Sequence, residues 1–238
     1  MSRWLSAVLA AALAIGSAEL AAAGRIADFS ARYHIKKAGL NVIATTITLT
    51  RGAENIVYRS EAEPIGMASW LFGDHRIYEQ AVLEQVDGQV IPLNYRYTHK
   101  GSDKNRNEYY RYNWDRNVAQ VNFRGEHKAL KIPDGTLDNF SLQLALIQDA
   151  RNGRTKLTYP VISKGELKTY TFTNLGRETI ETPLGEFEAV KLERRKHDDE
   201  NTTYTTWYAP RLNYLPVKVE NREDGDVVLS LLLEEVQW

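Results

Sequence analysis

LNYRYTHKGSDKNRNEYYRYNWDRNVAQVNFRGEHKALKI, residues 93–132, holds the pattern that decides the fold. Aromatic and aliphatic side chains recur there at alternate positions, the spacing of a strand with one buried face. A symmetric turn within Gly101 to Arg106 sets Tyr97 opposite Tyr110, Tyr95 opposite Tyr112 and Leu93 opposite Trp114. A two-residue turn at Arg116-Asn117 then sets Trp114 opposite Ala119, Tyr112 opposite Val121 and Tyr110 opposite Phe123. A turn at Gly125-Glu126 carries the same face on, with Val121 opposite Leu130 and Ala119 opposite Ile132. A slip of one residue would throw every side chain to the other face. Agreement over three hairpins therefore predicts an antiparallel meander stabilised by cross-strand pairs.

Strand signals continue in both directions. Upstream, Phe29, Ala31, Tyr33 and Ile35 alternate with polar residues, Gly39 turns the chain, and strands follow at Val42 to Thr50 and Asn55 to Ala62. Arg76 to Val86 and its return through Tyr97 flank a turn at Asp87-Gly88. Between them, Met67 to Phe72 is too short and too apolar to assign. Downstream, strands are expected at 157–163, 167–173, 177–181, 187–195, 202–208, 215–220 and 227–236. One helix interrupts them. Asp138 caps it, Phe140, Leu144 and Ile147 recur at helical spacing, and Gly153 ends it. Leu142, Ala145 and Leu146 widen its apolar stripe beyond the need of a surface helix. The expected fold is mainly β: a curled antiparallel sheet or half-barrel meander wrapped around this one helix. Thirteen tyrosines and five tryptophans against seven prolines suit such a chain.

The N-terminus predicts export. Arg3 precedes an uncharged apolar run from Leu5 to Ile15, and Ala21-Ala22-Ala23 offers the small residues a signal peptidase reads. The run is short of the ~20 apolar residues that span a bilayer. Cleavage after Ala23 leaves a single β-rich domain, residues 24–238, in the bacterial periplasm. No cysteine is present to form a disulfide or carry a lipid. The formal net charge of −1 lacks the basic footprint of a nucleic-acid binder.

Catalytic motifs are scarce. Gly66-Met67-Ala68-Ser69-Trp70 misses the spacing of a nucleophile elbow, and phosphate loops and dinucleotide glycines do not occur. The five histidines are scattered, and no metal or cofactor is expected. His197-Asp198-Asp199-Glu200, the one local cluster with metal-binding residue types, reads as a solvated hairpin tip beside Arg194, Arg195 and Lys196.

Thr182-Pro183-Leu184-Gly185-Glu186-Phe187-Glu188-Ala189-Val190-Lys191, then Trp207-Tyr208-Ala209-Pro210 and Leu215 to Glu220, form a C-terminal signature. It resembles that of DUF3108, an exported proteobacterial family of unknown function. The resemblance implies a shape similar to the curled half-barrels that carry lipids or lipoproteins, and it implies no catalytic residue.

Two features are candidates for binding. One is the aromatic face Tyr95, Tyr97, Tyr110, Tyr112 and Trp114, which reads either as a ligand-stacking surface or as core. The other is Met67 to Phe72, where Trp70 and Phe72 lie between Gly66 and Gly73 and form either a lip over a cavity or a plug in the core. Three functions follow. The leading expectation is a non-enzymatic binding or carrier module for a lipid-like, apolar or amphipathic envelope molecule. The alternative is an assembly protein that docks an envelope partner, and the third is an enzyme acting on glycans or lipids.

Overall fold

The computed structural model describes residues 26–73, 75–101, 106–196 and 199–238. The signal-peptide expectation at 1–23 and the tip residues His197 and Asp198 lie outside them. Strands β1 (Phe29–Lys37), β2 (Leu40–Arg51) and β3 (Ile56–Pro64) lead into a short helix, α1 (Met67–Phe72). Then come β4 (Arg76–Val86), β5 (Gln89–Lys100), β6 (Arg106–Asn113), β7 (Val118–Phe123) and β8 (Glu126–Lys131). The two-residue β9 (Leu137–Asp138) precedes α2 (Ser141–Arg151). The chain ends in β10 (Lys156–Ser163), β11 (Glu166–Thr182), β12 (Gly185–Lys196), β13 (Asp199–Ala209), β14 (Leu215–Glu223) and β15 (Asp226–Gln237).

Among the described residues, all fifteen strands form one sheet in the order β8-β7-β6-β5-β4-β3-β2-β1-β15-β14-β13-β12-β11-β10-β9. The first and last strands meet at its middle, from Ser30 opposite Gln237 to Lys36 opposite Ser230. Every pairing is antiparallel except β9 with β10, which α2 connects as a crossover. A twisted sheet this wide curls on itself, and the two arms touch. The Gly165 N–H at the β10–β11 turn donates to the Tyr110 hydroxyl on β6 at 3.1 Å. A Cβ at Gly165, where φ is +75°, would stand 2.7 Å from the Cβ of Phe123. Only glycine permits both that backbone conformation and that approach.

The meander exists with every register displaced by two residues from expectation. Tyr95 faces Tyr110, Tyr97 faces Glu108, Tyr110 faces Val121, Tyr112 faces Ala119, and Ala119 faces Leu130. The turns explain the last two shifts. Trp114–Arg116 forms a 3-10 turn closed by Asn117 at φ 49°, and Arg124-Gly125, both at positive φ, replaces Gly125-Glu126. A shift of two keeps each side chain on its face, so Tyr95, Tyr110, Tyr112, Ala119 and Val121 are all buried. Trp114 leaves the ladder for the turn and has no cross-strand pairing partner. Residues 167–181, read as two strands, are one strand with an irregularity between Asn174 and Arg177.

The helix begins at Ser141 and its N-cap position is held by Phe140, not by the expected Asp138, which lies two residues earlier. Asp138 Oδ1 accepts from the Phe140 N–H at 2.9 Å and the Ser141 N–H at 2.7 Å, and Gly153 at φ +66° follows the helix end. Leu142, Leu144, Leu146, Ile147 and Ala150 are buried. Side chains from both arms of the sheet reach this segment. The Tyr58 ring of β3 stacks on Phe140 at 4.2 Å and its hydroxyl donates to Gln143, while the Tyr159 hydroxyl of β10 donates to Asp149. Leu144 is 1% exposed. Leu144→Ala should cost ~2–5 kcal/mol in urea melts, the range for a buried leucine whose cavity does not collapse; a loss below ~1 kcal/mol would place the helix outside the core.

Candidate functional site

Beneath the aromatic face lies a network of buried acids. The Tyr95 hydroxyl donates to Glu79 Oε1 at 2.7 Å, the Tyr110 hydroxyl donates to Glu108 Oε2, and the Tyr112 hydroxyl lies 3.4 Å from Asp138 Oδ2. Tyr95 and Tyr110 also stack, with ring centroids 4.9 Å apart. Arg106 stands 3.6 Å from Glu108. Burial pushes the Glu79 carboxyl up to about 7, even though the residue as a whole is only half-buried. The Tyr95 hydrogen bond opposes that rise, and the nearby Asp138 and Glu108 carboxylates add to it. Burial likewise raises Asp138 to about 6, against the hydrogen bonds donated by Ser141 and Phe140. Tyrosine donors are the natural partners for such carboxyls, because an unmatched buried acid would be strongly destabilising.

This network accounts for three of the expected binding residues. Tyr95, Tyr110 and Tyr112 are buried, with their hydroxyls directed at internal carboxyls. Tyr97 is half-buried, with the Arg106 guanidinium over its ring. Trp114 stacks on Tyr112 at 5.4 Å, donates its indole N–H to the Pro92 carbonyl, and lines a cleft of about 900 Å³. The cleft opens at the C-terminal end of α2 and mixes apolar groups with Glu84, Asp134, Asp149 and Arg154.

A second, smaller space of about 250 Å³ lies at the other end of the strands, beneath α1. Its lining is apolar, from Val42 and Ile43 of β2, Ala62 of β3, Ala68 of α1 and Ile77 of β4. Lys37, Glu63, His75 and His99 border it, with His75 Nδ1 3.1 Å from His99 Nε2. The α1 segment is no core plug. Trp70 is 93% exposed, and Met67 and Leu71 are exposed beside it. The Ser69 hydroxyl donates to the Gly66 carbonyl, an internal turn contact. Phe72 ends this helix, and its side chain lies outside the description. Only the apolar, glycine-flanked stretch was legible in sequence, as either lip or plug; the pocket depends on long-range pairing of β2, β3 and β4.

The tip expected at His197 and Asp198 lies outside the described residues, but Asp199 beside it is described. Asp199 accepts from the Thr202 hydroxyl at 2.6 Å and from Lys196 at 3.3 Å, which holds its carboxyl below the usual range. No group of metal-ligating side chains occurs among the described residues, and none of their helices is long and apolar enough to cross a membrane.

The raised Glu79 carboxyl has a consequence for stability. Folded Glu79 keeps its proton up to about pH 7, against an ordinary value of 4.5. The folded state therefore binds more protons than the unfolded chain across this window, and stability falls as pH rises through it. Glu79→Gln keeps an acceptor for Tyr95 and removes that slope. Denaturant melts should show the variant on the order of 1–3 kcal/mol more stable than wild type at pH 8, with little difference at pH 4. Parallel pH profiles would contradict the assignment.

Comparison with known proteins places the fold. The chain is similar to a crystal structure of a β-barrel-like protein of the domain of unknown function DUF1849 from Brucella abortus. The TM-score is 0.57 at 10% identity, covering 90% of this chain and 98% of that one. Two further structures give lower scores: a protein described as exported, with a YmcC-like fold, from Bacteroides fragilis, and a protein described as a lipoprotein from Parabacteroides distasonis. The first has a TM-score of 0.38 at 11% identity, covering 88% of this chain and 95% of that one. The second has a TM-score of 0.34 at 12% identity, covering 89% and 96%. No curated protein sequence matches. The sequence profile of DUF3108, a protein family of unknown function, matches residues 28–231, and the chain belongs to that family.

Proposed function

We propose that this protein is exported, loses residues 1–23, and acts in the periplasm as a binding or carrier module for an apolar or amphipathic envelope molecule. In this reading the curled sheet is a half-barrel wrapped around α2, with a ligand space kept open at its α1 end. The observation that carries it is the apolar pocket of about 250 Å³ beneath α1. That is room for an acyl segment, with Lys37, Glu63 and the imidazoles at its border to meet a polar head. Exposed Trp70 and neighbouring Phe72 belong to the lip. Of the aromatic face, Trp114 belongs to the separate cleft, and Tyr97 is the most accessible of the four tyrosines.

The docking alternative is weaker on two observations. Most of the aromatic face is committed to the core. The free edge β8 carries Lys128 and Lys131 among exposed residues, the kind of charged edge that resists strand addition. An enzymatic role has less support, since the buried carboxyls are engaged by tyrosine hydroxyls.

Titration with a fluorescent fatty acid tests the reading. The folded wild type should bind saturably. Ala68→Phe, which fills the pocket from the helix side, should weaken binding by at least about tenfold at unchanged melting temperature, as expected when an apolar pocket is occupied by the protein itself. No saturable binding by folded wild type, or equal binding by the variant, would overturn it.

A further inference from the structure

The outer face of α1 goes unused by the pocket beneath it. Met67, Trp70 and Leu71 are 82%, 93% and 77% exposed, and all three lie on one six-residue helix. Leu40, at the adjoining β1–β2 turn, is 64% exposed. It lies close in space, because Ile65 N–H donates to the Val42 carbonyl and a Cβ at Gly66 would stand 3.8 Å from the Asn41 carbonyl oxygen. Single exposed apolar residues need no explanation, whereas a cluster at one end of a barrel-like sheet marks an interaction site.

The charges beside the cluster indicate the partner. Lys37 faces Leu40 across the β1–β2 hairpin, and Lys36 precedes it. Arg76, just after α1, faces Lys100 at the end of β5. The carboxylate of Glu63 lies within 3.6 Å of Arg76, leaving the described rim around α1 with an excess of positive charge. Basic groups on the strands to either side of an exposed tryptophan and aliphatic tip match the two layers of an anionic bilayer surface. Lysine and arginine meet the headgroups while the indole and leucine enter the interface.

We infer that α1 docks this protein onto an anionic membrane surface, with Trp70, Leu71, Met67 and Leu40 inserted at the interface and Lys37, Arg76 and Lys100 against the headgroups. This goes beyond ligand binding: it concerns the outer face of the helix whose inner face closes the pocket. The same element would then bring the pocket mouth to the surface that supplies or receives an amphiphile.

Sedimentation with vesicles tests the inference. The purified protein should bind phosphatidylcholine vesicles containing phosphatidylglycerol, and weaken as salt rises. Trp70→Ser with Leu71→Ser should cut binding at least about tenfold at unchanged melting temperature, since the removed surface was exposed. Because the chain has no cysteine, Leu71→Cys carrying an environment-sensitive dye should report transfer to an apolar medium on vesicle addition. Ala68→Phe should retain vesicle binding, which separates failure of docking from failure of the pocket. Two outcomes would overturn the proposal. One is a folded wild type that ignores anionic vesicles; the other is concentration-dependent self-association abolished by the serine variant, which would assign the patch to a protein interface.

Discussion

The two ends of the sheet, β8 and β9, do not pair with each other, and the rest of the structure depends on how the gap between the arms is filled. Closing an antiparallel sheet by hydrogen bonds would require β8 and β9 to run side by side in register. Here β9 is two residues long and pairs with β10, and the chain enters α2 immediately after it. The arms are linked instead by side chains and by the close approach of Gly165 to Tyr110 and Phe123. Leu142, Leu144, Leu146, Ile147 and Ala150 of α2 are buried and add non-directional apolar burial to the core. The Tyr58–Phe140 stack and the Tyr159–Asp149 contact supply the directional part.

That arrangement sets the character of the two ends. Where α2 terminates, the surrounding strands leave a wide cleft with acids and arginines in its walls. At the opposite end, the β3–β4 connection turns outward as α1 and leaves a smaller, drier space beneath it. Glu79, Glu108 and Asp138 sit among the core tyrosines, so repacking the middle would disturb paired carboxyls as well as apolar contacts. Such a core is costly to rearrange, whereas connections at the ends of a scaffold tolerate change more readily.

Much of the fold was legible because period-two patterning survives errors in pairing. Tyr95, Tyr110 and Tyr112 were placed on one face although every expected partner was two residues away, since a shift of two does not change a side chain's face. Exact register depends on turn geometry. The 3-10 turn at Trp114–Arg116 has no apolar period to announce it. Asp138 stood out near the helix start, but its approach to Tyr112 and the Tyr95–Glu79 pair require strands distant in sequence to meet. For the same reason, the aromatic stripe alone did not distinguish a stacking surface from core. Trp70 was legible only as a choice between lip and plug, and its exposure decides against the plug.

The central claim is that the pocket beneath α1 holds an amphiphile, and native mass spectrometry of the protein isolated from its own cell envelope tests it most directly. The account predicts a chain beginning at Gly24 with a non-covalently bound amphiphile that Ala68→Phe fails to retain. A wild-type protein that is folded, carries no bound molecule and takes none up from added lipid would contradict it.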